Sequence, residues 1–117
     1  MDIESFVLNM KSAFSIDTCH NSYVKYWSKD NPTAGHCAIA SLLIWQNFGG
    51  NVYKVKVGHF THYFNVLDDG TVIDSTAEQF NRVIEYSKGV KCNPVNMLKN
   101  KETAERLKLL KERMFIL

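Results

Sequence analysis

The sequence predicts an α+β domain in which one buried helix leads into a small antiparallel sheet, with amphipathic helices at both ends. Three observations carry that expectation. The stretch from His36 to Phe48 is apolar on nearly every face, which a helix tolerates only when protein surrounds it. Segments of strand period follow directly, two of them joined by "DDG" at 68–70. The first and last segments repeat apolar residues at three- and four-residue spacing. With 117 residues there is material for one core, so residues 1–117 are expected to form a single domain with one site.

Each element has its own signal. Ile3, Phe6, Val7, Met10 and Phe14 form the apolar stripe of a first helix, with Asp2 near its start. From Ser15 to Gly35 the chain is polar and ends in the turn-forming cluster "SKDNPTAG", so a loop is expected there. The central helix enters through Cys37 and stops at Gly49 and Gly50. "NVYKVKV" alternates Tyr53, Val55 and Val57 against Lys54 and Lys56 as a strand with one wet face; "FTHYFNVL" and "TVIDST" supply two more strands. Ser75 or Thr76, with Glu78 or Gln79 three residues on, reads as a capping box opening a short helix through Phe80 and Val83 to Ile84. In "NKETAERLKLLKERMFIL", Ala104, Leu107, Leu110 and Met114 line one stripe of a closing helix.

Composition narrows the class. A hydrophobic fraction of 45% with 22% charged residues is that of a globular protein. A net charge of +2 gives no field to attract nucleic acid or an anionic membrane. The longest apolar run, Cys37 to Trp45, is far short of a bilayer span. The opening "MDIESFVLNMKSAF" has an acidic residue where an export signal has basic ones. Three widely spaced cysteines, Cys19, Cys37 and Cys92, argue against a disulfide framework and for a reducing cytoplasm. No cofactor-binding pattern is present.

Cys37 stands at the doorway of the buried helix. The unpaired amides and dipole of a helix N-terminus favour a thiolate over a thiol and can also hold a developing oxyanion. The alternative is a small core residue, since free cysteine is often buried. A nucleophile needs a base, and His62 lies in an otherwise apolar strand where packing alone hardly accounts for an imidazole. Asp74, beside Val72 and Ile73, needs a donor if buried.

The hairpin register decides whether the last two meet. With a three-residue loop of Asp68, Asp69 and Gly70, Leu67 pairs with Thr71, Phe64 with Asp74 and His62 with Thr76. Asp74 and His62 are then diagonal neighbours on one face. A two-residue loop of Asp69 and Gly70 sends them to opposite faces. In the first register Asp74 orients His62 and His62 receives the proton of Cys37, a triad in the chain order Cys, His, Asp.

The chain also resembles the small YunG-like bacterial proteins. The shared features are Trp27, Asp30, Asn31, Pro32, Gly35 and Cys37 before the helix, then Gly49–Gly50, His62, Tyr63 and Asn65, and finally Asp69–Gly70, Asp74, Thr76, Gln79 and Phe80. The resemblance implies a reduced papain-like or transglutaminase-like α+β fold in which Cys37, His62 and Asp74 match nucleophile, base and orienting acid. Gly35, His36 and Trp27, which approach the cysteine, are candidates for substrate or oxyanion binding. Where the family pattern has glutamine before the cysteine this chain has His36, leaving the Cys37 backbone amide as the oxyanion donor.

Other residues have plainer readings. His59, His62 and Cys37 can be drawn as a metal site, but strand residues three apart face opposite ways and no CxxC or HExxH pattern completes the shell; no metal is expected. His36 also reads as a partly exposed loop histidine, His20 as a surface residue, Asn65 as a structural hydrogen bonder facing away from His62, and Trp45 as core. Trp27 reads equally as core or as a cleft wall. Lys88 to Arg113 holds eight basic residues against Glu102, Glu105 and Glu112; with Glu102 four before Arg106 and Glu105 three before Lys108, this reads as a solvated helix face.

Two functions from different classes follow. One is a cysteine-dependent hydrolase or acyl/amide transferase acting on a protein or peptide substrate. The other is a non-catalytic papain-like binding module, such as an inhibitor, effector or toxin-antitoxin component, with a vestigial triad. A structural subunit of a larger assembly is a third reading.

Overall fold

The computed structural model describes residues 2–115. Helix α1 spans Ile3–Ser12, and its first turn is capped by Asp2, whose Oδ1 accepts the Ser5 N–H at 2.7 Å. The central helix α2 spans Cys37–Phe48, and Ile39, Ala40, Leu42, Leu43 and Ile44 are all buried along it. They pack against Met10 of α1 and against Leu107, Leu110 and Met114 of α4, the closing helix at Lys101–Phe115, which follows the short helix α3 at Pro94–Leu98. Burying each large side chain contributes roughly 1.5–3 kcal/mol, so this cluster fixes where the start of α2 sits. Ile116 and Leu117, the end of the segment expected to form the closing helix, lie outside the described residues. No described helix is long and apolar enough to cross a membrane.

Strands β1 (Asn51–Val57), β2 (Phe60–Val66), β3 (Val72–Ile73) and β4 (Val90–Lys91) form one antiparallel sheet in the order β3-β2-β1-β4. The fourth strand, two residues at an edge, falls in a stretch whose sequence has no strand alternation. Asn65 pairs with Ile73 and Val66 with Val72, and the Leu67 N–H donates to Thr71 O at 2.9 Å. The hairpin therefore has the three-residue loop, with Gly70 at φ +88°. One face of the sheet carries Val55, Val57 and Phe64, packed with Tyr53, Val66, Phe80 and Tyr86. On the other face Asn65 donates from Nδ2 to Ser41 O of α2 at 2.9 Å, the structural role expected of it.

Two expected elements differ. The helix from Ser75 to Ile84 is absent: only a 3₁₀ turn forms at Ala77–Gln79, and Thr76 makes no capping hydrogen bond. Its backbone is already committed, with Thr76 N–H on Asp74 Oδ1 and Thr76 O accepting from the Gln79 side chain. Residues 15–35 are not a plain loop. A 3₁₀ helix at Asn21–Tyr26 interrupts them, and Thr18, Cys19, Thr33 and Ala34 are buried. Trp45 is half-buried instead of core.

His36 is the main correction in this region. It is fully buried, neither exposed nor on the cleft wall, because its ring stacks on Phe14 with centroids 4.2 Å apart. Nδ1 lies 2.9 Å from Ala34 O, which can only accept, so that nitrogen carries the proton and Nε2 accepts from Thr18 Oγ1 at 2.6 Å. Burial, joined by the charge of Arg106 and opposed by hydrogen bonding to backbone carbonyls, pushes its pKa down to about 4. The unfolded chain therefore binds this proton first. His36 contributes about 3 kcal/mol that is present above pH 6.5 and lost as pH falls through about 4. Urea unfolding between pH 6.5 and 4 should show a loss of stability that is markedly shallower in His36→Gln; identical slopes would assign the acid sensitivity elsewhere.

Candidate active site

Strand β3 is so short that the first half of β2 has no strand beside it on that side. Cys37, the first residue of α2, comes up to this open edge, its Sγ 4.0 Å from Thr61 O. No side chain caps α2, so its leading amides keep their polarity toward the opening. His62 follows Thr61 and is completely buried. Its Nε2 lies 2.6 Å from Asp74 Oδ2, the contact that the three-residue loop permits. A carboxylate only accepts, so Nε2 carries a proton and Nδ1 is the nitrogen left for Cys37.

Asp74 is itself held by two further donors. Tyr86 Oη donates to Oδ2 at 2.8 Å, and the Thr76 N–H donates to Oδ1 at 3.2 Å. Phe80 closes the other side of the imidazole with an edge-on contact, centroids 4.9 Å apart. Burial alone would depress the His62 pKa. That is the largest single influence, but the Asp74 hydrogen bond, then hydrogen bonding and charge from Cys37, then the charge of Asp74 together outweigh it and raise the pKa to about 9. The thiol is thus close enough to act on the ring, while its orientation toward Thr61 leaves Nδ1 without an aligned partner.

Of the three, Cys37 lines a cleft of about 380 Å³, whereas His62 and Asp74 do not reach its wall. Gly35 lines it, buried and at φ +74°, where a Cβ would run into Cys19 Sγ. The Gly35 N–H donates to Gln79 Oε1 at 3.4 Å while Gln79 Nε2 donates to Thr76 O at 3.1 Å. Gln79 therefore straps the loop carrying the thiol to the loop carrying the carboxylate. Trp27 stands apart from the cleft wall: half-buried, it staples its own loop by donating from Nε1 to Pro32 O at 3.0 Å. His59 is exposed in the β1–β2 turn. His20, read as a surface residue, is half-buried and lines the cleft, as do Asn100 and Arg106.

Tyr86, Gln79, His20 and Arg106 were not singled out for the site by the sequence. Tyr86 sits in an irregular stretch with no period to place it. Arg106 was legible in part, since it stands three after Thr103 and four before Leu110, on the border of the buried stripe of α4.

A family model described as "YunG protein" matches residues 2–116, so the chain belongs to the YunG family. It is 38% identical over 60 residues to the "Uncharacterized protein YunG" of Bacillus subtilis (strain 168). That match spans 51% of this chain and 51% of the relative, so about half of each length is compared. No solved structure matches.

His62 yields a stability signature. Its folded pKa near 9 exceeds the ordinary 6.5, so the proton it holds contributes about 3 kcal/mol that is full below pH 6.5 and is lost as pH rises through about 9. Thermal melting from pH 6.5 to 9 should show a falling midpoint in the native chain and a flatter profile in Asp74→Asn. Parallel profiles would mean that Asp74 does not hold the His62 proton.

Proposed function

We propose that this chain is a cysteine-dependent hydrolase or acyl/amide transferase built on a reduced papain-like domain. The observation that supports this most is the buried His62 clamped at 2.6 Å to Asp74, with its free nitrogen toward a cysteine at the mouth of a cleft. Orienting an imidazole between a carboxylate and a thiol is what nucleophilic acyl chemistry requires.

In this reading the Cys37 thiol gives its proton to His62 Nδ1 and the sulfur attacks a carbonyl carbon, forming a C–S bond while the carbonyl π pair moves onto oxygen. The Cys37 backbone amide at the start of α2 receives that oxyanion. As the tetrahedral intermediate collapses, the C–N bond breaks and the His62 proton passes to the departing amine, leaving a thioester. Water or an acceptor amine then attacks, His62 takes its proton, and the thiolate returns as the C–S bond breaks. Asp74 keeps the ring oriented and offsets its positive charge throughout.

The substrate class is a peptide, isopeptide or side-chain amide bond in a protein or peptide, since the cleft is open on one side and modest in volume. The three free thiols suit a reducing cytoplasm.

Selective alkylation tests this. The competing thiols are handicapped, because burial pushes the Cys19 and Cys92 thiols up in pKa, with Arg106 and Lys54 respectively offsetting only part of that. Near neutral pH, iodoacetamide should modify Cys37 at least about tenfold faster than either, and His62→Ala should remove that excess. Equal labelling of all three thiols would favour the binding module with a vestigial triad. Mass spectrometry after treatment with an amide-bearing electrophile should place the adduct on Cys37.

A further inference from the structure

We propose that Arg106 is the specificity determinant of the cleft and that it recognises a carboxylate carried by the substrate beside the carbonyl that Cys37 attacks. This rests on the nucleophilic reading of Cys37 and extends it to a substrate class.

Helix α4 turns most of its charges to water: Lys101, Glu105, Lys108 and Glu112 are exposed. Lys111 and Arg113 are half-buried away from the cleft, and Arg106 departs in another way. It is half-buried and lines the same 380 Å³ cleft as Cys37, close enough for a charge on the sulfur to act on it. Burial lowers its pKa ahead of any raising charge, which marks a cation held partly out of water. A guanidinium has five N–H donors, yet the hydrogen bond described for Arg106 is a single long one, Nη1 to Thr18 O at 3.5 Å. Among the described residues no carboxylate comes within ion-pair distance of it. Glu102 acts on it only as a more distant charge.

The rest of the wall does not neutralise it. Among the described residues no aspartate or glutamate lines this cleft; its wall includes Asn100, just before α4, Thr103 of α4 and Tyr63 of β2. A half-buried cation with unused donors in a cleft without acid is poised for an anion, and the planar fork of arginine fits a carboxylate with two parallel bonds. Sharing a cleft with an acyl-directed thiol favours a carboxylate on the acyl substrate over an isolated inorganic anion. A peptide C-terminus and a glutamate or aspartate side chain offer the same group.

The test uses two reagents of similar size and the same leaving group, iodoacetate and iodoacetamide. Each forms a C–S bond to Cys37 as the C–I bond breaks and iodide leaves. Their rate ratio cancels general changes in thiol reactivity, and because the His62 imidazolium also attracts anions, the readout is the change in that ratio when Arg106 is replaced with His62 intact. Arg106→Gln should lower the iodoacetate-to-iodoacetamide ratio about tenfold, and Arg106→Lys should restore part of it. An unchanged ratio in Arg106→Gln overturns the proposal.

A second arm needs no variant. A short acetylated peptide with a free C-terminus, or its amidated counterpart carrying glutamate, should slow alkylation of the native chain. Protection by either supports the proposal and names the source of the carboxylate; protection by neither at tens of millimolar overturns it. Should Cys37 label no faster than Cys92 while the Arg106-dependent ratio persists, the catalytic reading fails and the anion site stands.

Discussion

The site depends on one hydrogen bond, from His62 Nε2 to Asp74 Oδ2. It exists because a three-residue turn sets the register of β2 against β3, so that the carboxylate after β3 and the imidazole on β2 fall diagonally on the same face. One residue fewer in that turn would turn Asp74 to the other face and leave His62 buried without its partner. An unpaired imidazole in that position would give up its proton, since burial by itself disfavours the charged ring. The ring beside Cys37 is thereby tied to a turn some distance along the chain.

The surroundings make that bond rigid. Tyr86 and the Thr76 amide occupy the remaining carboxylate positions, and Gln79 braces the Asp74 loop against Gly35. The apolar packing of α2 against α1 and α4 fixes the other half, the position of Cys37 at the β2 edge. Two histidines thus play opposite parts. His36, buried among groups that suit a neutral ring, holds the approach loop; His62, buried beside a carboxylate and a thiol, keeps its proton to higher pH.

The sequence made the helix, the hairpin and the His62–Asp74 contact legible because each rests on local period or on register arithmetic. Gly35 was legible as a neighbour of the cysteine. What it concealed came from long-range packing. His36 looked like a loop residue until Phe14 and Thr18, far back in the chain, closed around it. Arg106 looked like one charge among many on a basic helix, with Glu102 at the spacing of an ordinary exposed pair, whereas the described pair on that face is Lys101 with Glu105. Tyr86 and β4 lie in a segment of short turns that carries no periodicity. The capping-box pattern after Asp74 misled because the backbone it would have used was already hydrogen-bonded to Asp74 and Gln79.

The central claim is the state of one ring. Nitrogen-detected NMR of His62 should find Nε2 protonated, its proton slow to exchange with water, and that protection lost in Asp74→Ala while the fold is retained. A His62 whose Nε2 is unprotonated near neutral pH, or whose Nε2 proton exchanges equally slowly without the Asp74 carboxylate, would contradict the account.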